Sequence, residues 1–199
     1  MFSRFAPWSL LVLLWTGLYP QTAEVLNEVE VALEDYDVYS AAIDQLFLDE
    51  PVRLMVIENR TAENNFQAGW TPAEEVSYVS QHLPSMSPLT LEDYQTANRD
   101  PKRLKDVFHL EARRILIDRQ EVDEIFRGKT NGWDAFYRKY PEAAGYLTLS
   151  RVGFSLGRNE ALVHIGYYCN SLCGRGTYFL LIKKGKTWKV AKEYVIWSL

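Results

Sequence analysis

The stretch Glu160-Ala161-Leu162-Val163-His164-Ile165-Gly166-Tyr167-Tyr168 decides how this chain folds. Its side chains alternate, with Ala161, Val163, Ile165 and Tyr167 on one side and Leu162, His164, Gly166 and Tyr168 on the other. A period of two is that of a β-strand. Tyr146–Phe154 before it, and Thr177–Lys183 and Thr187–Trp197 after it, repeat the pattern. The breaks are Leu156-Gly157-Arg158-Asn159, a loop around two cysteines, and Lys184-Gly185-Lys186. Breaks this short predict hairpins, hence a four-stranded antiparallel meander.

Upstream the period lengthens. Val25, Val29, Leu33, Tyr36, Tyr39, Ile43 and Leu46/Phe47 recur every three or four residues, predicting an amphipathic helix over 24–48 that Pro51 stops. Val52–Glu58 is a short run, apolar on both faces, and predicts a strand covered on both sides. Thr71-Pro72-Ala73-Glu74 is a capped helix start running to about Leu83. Pro84 and Pro88 bracket a turn, and a helix is expected from Thr90. Arg114–Ile117 predicts a strand. Asp118-Arg119-Gln120-Glu121 predicts the cap of a helix that Gly128 closes. Trp133, Phe136, Tyr137 and Tyr140 fall on one helical face, the pattern of core packing. The expected class is α+β, with N-terminal helices packed on the C-terminal sheet.

The first residues have the parts of an export signal: Arg4, the apolar run Leu10-Leu11-Val12-Leu13-Leu14-Trp15, then Gly17 and Pro20. Residues 1–23 are read as a signal peptide or an N-terminal anchor, and 24–199 as one domain. The apolar part, residues 6–19, is short of the roughly 20 residues that cross a bilayer comfortably. Export to the periplasm or the extracellular space is expected, with membrane attachment only through that segment. The net charge of −4 argues against a nucleic-acid footprint. Nine acids and no Lys or Arg lie between Glu24 and Glu50, and five lysines and no acid between Lys183 and Lys192. These are solvated faces, or an acidic helix that docks a basic surface. Asn59-Arg60-Thr61 is a glycosylation sequon.

The two cysteines, Cys169 and Cys173, lie in the loop after the deciding strand. An oxidising compartment favours a disulfide fixing the loop's shape. The alternatives are a thiol redox pair, or two thirds of a metal set with His164. Gly174-Arg175-Gly176 reads as the rest of the hairpin loop, or as a short anion cradle. No Gly-x-Ser-x-Gly, phosphate-loop or dinucleotide motif is present, so no cofactor is expected. His82 ends a predicted helix and His109 lies in a charged stretch. The candidate pocket residues are His164, Tyr168, Tyr178 and Glu193.

Leu149-Ser150-Arg151-Val152-Gly153-Phe154, Ala161-Leu162-Val163, Cys169-x-x-Leu172-Cys173-Gly174-x-Gly176-x-Tyr178 and Trp188-x-Val190 form a pattern similar to uncharacterised exported bacterial proteins. Trp133-x-x-Phe136-Tyr137-x-x-Tyr140-Pro141 belongs to the same likeness, which implies no activity. The order of helices and sheet also resembles the NTF2-like fold, which implies a cone-shaped sheet and no particular function. The expected function is a non-enzymatic binding or accessory module for a protein or small-molecule partner. A hydrolase-like or lyase-like pocket enzyme using His164, Tyr168 or Glu193 is the alternative, and a thiol oxidoreductase is a third.

Overall fold

The computed structural model describes residues 30–49, 52–62, 70–127 and 131–199. The proposed leader, the first turns of the long predicted helix, Pro51 and Gly128 lie outside the described residues. Among the described residues, five helices and seven strands follow one another as α1 Leu33–Leu46, β1 Leu54–Glu58, α2 Pro72–His82, α3 Pro88–Ala97, β2 Arg113–Ile117, α4 Arg119–Phe126, α5 Gly132–Lys139, β3 Ala143–Leu149, β4 Gly153–Phe154, β5 Glu160–Asn170, β6 Cys173–Lys184 and β7 Thr187–Ser198. The α+β class stands. None of the described helices is long and apolar enough to cross a membrane.

The sheet corrects the four-stranded antiparallel meander. It runs β2-β1-β3-β5-β6-β7, with β4 on β5. β5, β6 and β7 are antiparallel as expected, but β1 lies parallel to both β2 and β3. Tyr146–Phe154 is two strands, because the chain bulges through Ser150-Arg151-Val152. There Asn98, just past α3, holds both the N–H and the carbonyl of Arg151.

Helices cover both faces, not one. Both alternating sets of the central strands are apolar, and a sheet wet on neither face needs two layers. Ala161, Val163, Ile165, Phe179 and Leu181 pack on Tyr39, Ile43 and Leu46 of α1. Opposite, Leu162, Tyr178 and Leu180 pack on Val79, Leu83 and Leu91 of α2 and α3. On that same face Leu54 and Val56 of β1 meet Val122, Ile125 and Phe136 of α4 and α5. The five residues of β1 are all buried, as an apolar strand covered on both sides requires.

Several boundaries shift for local reasons. α1 starts at Leu33, which is exposed. Before it Glu30 bridges to Arg103 in extended form. α3 starts at Pro88, not Thr90, with its cap supplied in space. Glu160 of β5 accepts from the Ser87 N–H and the Thr90 hydroxyl, placing a carboxylate at the helix N-terminus. α2 has the expected capping box between Thr71 and Glu74. The sequon is built into the fold: Thr61 is buried and its Oγ1 accepts from Lys102 N at 2.9 Å.

Two acids of α1 meet basic residues of this chain. Glu34 of α1 pairs with both Arg158 and Lys183, and Asp37 with His109.

The cysteine loop is tighter than predicted. β5 extends to Asn170 and β6 begins at Cys173, so only Ser171-Leu172 turn. Cys169 and Cys173 are joined across it, Cα–Cα 5.2 Å. Gly174-Arg175-Gly176 is therefore strand, neither loop nor anion cradle. Arg175, on the α1 face opposite Tyr167, donates to the Leu46 carbonyl at 2.6 Å, a cation at a helix end that has no basic residue of its own. A closed ring of five residues stabilises by about 2 kcal/mol in the chain-entropy model. Reduction, or Cys169→Ser with Cys173→Ser, is expected to lower the urea-unfolding free energy by that amount and keep the β-sheet circular dichroism.

Candidate functional site

The site is built on the face that carries His164. Cross-strand pairs place its rows. His164 stands opposite Tyr178, Gly166 opposite Gly176, and Tyr168 opposite Gly174. On the other side of β5, Thr148 opposes Gly166 and Tyr146 opposes Tyr168. On β7, Trp197 opposes Gly176 and Tyr194 opposes Tyr178. Gly166 and Gly176 thus form a floor without side chains in the middle of the face. A Cβ on Gly166 would stand 2.5 Å from Thr148 Oγ1 and 3.2 Å from the Tyr168 hydroxyl, and one on Gly176 would fall inside the Trp197 indole. Only glycine lets these rings lie this close to the sheet.

Over that floor runs a row of half-buried aromatic rings. Trp133 and Tyr146 stack at 6.0 Å between centroids, Tyr146 and Tyr168 at 4.9 Å, and Tyr168 and Trp197 tilt together at 5.3 Å. At one end of the strip Trp133 and Tyr146 pack against the α4–α5 core, whereas Tyr168 and Trp197 belong to neither that core nor the α2–α3 core.

A charge pair lies beside the middle of the strip, two residues along β1 from Val56, which opposes Tyr146. Glu58, the last residue of β1, has a side chain 6% exposed and accepts from Arg119 Nη1 at 3.0 Å; the Arg119 side chain is 69% exposed. Burial raises the Glu58 carboxyl above its ordinary range, against the pull of Arg119. The same two charges act on the hydroxyls of Tyr146 and Tyr168, both raised chiefly by burial.

The other flank is a sealed polar centre. Tyr178 donates to Oε1 of Glu75, in the first turns of α2. Oε2 of Glu75 and both ring nitrogens of His164 are buried without a partner. Burial pushes Glu75 up to about 7, against the Tyr178 hydrogen bond, and His164 down to about 4. The two rings His164 and Tyr178 are 4.9 Å apart.

No known protein family, curated protein or solved structure matches this chain.

Three of the four predicted pocket residues therefore share a face, and the fourth does not. Glu193 opposes Phe179, an α1-face residue, and is exposed. A bulge between Leu180 and Leu181 in the β6–β7 pairing is the reason. Simple alternation from Val190 would have turned Glu193 toward His164; the extra residue turns it away. The acid that meets Tyr178 on this face is Glu75, on one helical row with Val79 and Leu83. That spacing marks it as a carboxylate on an apolar stripe, a signal the sequence holds. The metal set fails because the disulfide consumes both cysteines, and no cluster of three or more potential ligands occurs among the described residues. His82 closes α2 with Nδ1 at 2.8 Å from the Tyr78 carbonyl oxygen, its ring packed against Tyr78 and Tyr194.

Proposed function

We propose that this protein is a non-enzymatic binding module that takes a small ligand with a flat apolar face on the aromatic strip. The observation that carries this reading is the row of half-buried rings over a glycine floor. Tyr and Trp rings of this kind offer large rigid contact area with little entropy left to lose. The reading does not depend on the NTF2-like likeness.

A panel of small aromatic and heteroaromatic compounds, titrated by amide NMR, tests it. Binders are expected to shift the Gly166 and Gly176 amides. Tyr168→Ala is expected to weaken them roughly tenfold, the effect of about 1.4 kcal/mol of lost ring contact. Binders that shift only amides outside the strip would count against it.

A pocket enzyme is the second reading, favoured by the unpartnered Glu75 beside Tyr178. Glu75 and Tyr178 are 1% and 0% exposed, so α2 must move before a substrate could reach them. A thiol oxidoreductase has less support, because Cys169 is buried and lies outside any helix.

A further inference from the structure

We propose that the ligand of the aromatic strip is a small organic cation, whose charge replaces the Arg119 guanidinium at the Glu58 carboxylate. This rests on the strip being the binding surface and names the chemistry of what it takes. Glu58 and Arg119 are an unequal pair. The acceptor is fixed at the end of a strand and almost wholly buried, while the donor reaches it on a long stem that is mostly in solvent. A buried carboxylate needs a cationic or hydrogen-bonding partner. Here the chain supplies one that can swing out.

Its removal is eased by a second partner. Arg119 Nε lies 3.5 Å from Asp123 Oδ1, one turn along α4, so a displaced guanidinium keeps an ion pair on its own helix. The incoming cation would stand beside Tyr146 and Tyr168, against the edges of the stacked row and in the field of the Glu58 carboxylate. Its apolar body would extend along the strip toward Trp197. An anionic ligand is disfavoured at the same place, because the buried Glu58 charge would repel it. Glu58 stands two residues beyond Val56, which opposes Tyr146, and so shares the face of the sheet that carries the rings; charge and rings form one site, not two neighbouring ones.

The test uses benzyltrimethylammonium and benzylguanidine as probes and benzyl alcohol as the neutral control, with affinities from calorimetry and location from the Gly166 and Gly176 amides. Both cations are expected to bind at least tenfold more tightly than benzyl alcohol. Arg119→Ala, which removes the internal competitor from an exposed position, is expected to tighten the cations several-fold. Glu58→Gln is expected to weaken them at least tenfold and leave benzyl alcohol unchanged. Equal affinity for cations and benzyl alcohol at those amides overturns the proposal while leaving the strip as the binding surface. Shifts confined to other amides, or no binding at millimolar concentration, overturn both. If Glu58→Gln does not fold, Arg119→Ala decides alone: unchanged or weaker cation binding overturns the proposal.

Discussion

Glu75→Gln is expected to stabilise the protein relative to the native sequence, by an amount that grows as pH rises from 4.5 to 7 and then levels off. Glu75 is folded with its carboxyl at about 7 against an ordinary 4.5. The folded state therefore holds a proton that the unfolded state has released across that interval. Stability contributed by the group is full below 4.5 and is lost as pH climbs through the folded value. The loss is on the order of 3 kcal/mol, at about 1.4 kcal/mol per pH unit. Gln keeps an acceptor for the Tyr178 hydroxyl but cannot ionise, so it avoids the loss. Urea midpoints of both proteins at several pH values give the difference directly. A difference that stays constant from pH 4.5 to 8 would contradict the burial of this carboxylate.

His164→Phe has the opposite profile, which is what makes the pair diagnostic. His164 is folded at about 4 against 6.5, so the unfolded state takes up the proton first on acidification. Its stability contribution is present above 6.5 and is lost as pH falls to about 4. Phe fits beside Tyr178 and removes that loss, again on the order of 3 kcal/mol. Over the shared interval the two groups act in opposite directions, so the native protein hides both. Asp35, buried on the α1 face and raised to about 6, adds a slope of the same sign as Glu75. Differences between variants cancel it, whereas the absolute profile does not.

What the sequence disclosed, and what it withheld, follows from how local each cause is. The alternation of Ala161, Val163 and Ile165 against Leu162 and His164 is a property of one strand, and the structure keeps it. The capping box at Thr71 is just as local, as is the bond from the Glu121 N–H to Asp118, although the Glu121 side chain turns to Lys139 and Tyr140 and does not close a second box. Helices on both faces were also legible, because the His164 side of β5 and β6 carries Leu162, Tyr178 and Leu180. The His164–Tyr178 pairing depends on a loop around the cysteines that is shorter than the strand pattern predicts. Once only Ser171-Leu172 turn, the register of the hairpin is fixed, apart from the bulge beside Cys169. Glu193 was misplaced by a bulge that leaves no mark in composition. The Glu58–Arg119 contact joins residues 61 apart, and arises because the parallel pairing of β1 and β2 puts the end of one strand beside the helix that follows the other. Apolar runs announce buried strands, but nothing in them states which neighbour they take.

Gly153→Ala tests the packing that holds this face in place, and is expected to lower stability by about 3 kcal/mol or more. Gly153 begins β4, the two-residue strand on which α3 lies. A Cβ there would overlap the backbone N and Cα of Tyr94 in mid-helix, and helix backbone cannot turn aside as a side-chain end can. The added methyl must push α3 from the sheet. That movement strains the Asp93 carboxylate that accepts from the Phe154 N–H at 2.7 Å, and the Asn98 clamp on Arg151. It also loosens Tyr94 from Tyr178, whose rings meet at 5.8 Å. Water reaching that gap would hydrate Glu75 and His164, so the pH slopes described above should shrink in the same variant. The aromatic strip lies on the far side of Tyr178, over Gly166 and Gly176. Its ligand affinity is expected to fall far less than global stability does. Equal losses in both would mean that α3 and the strip form one cooperative unit, and that the two cores on this face are not independent.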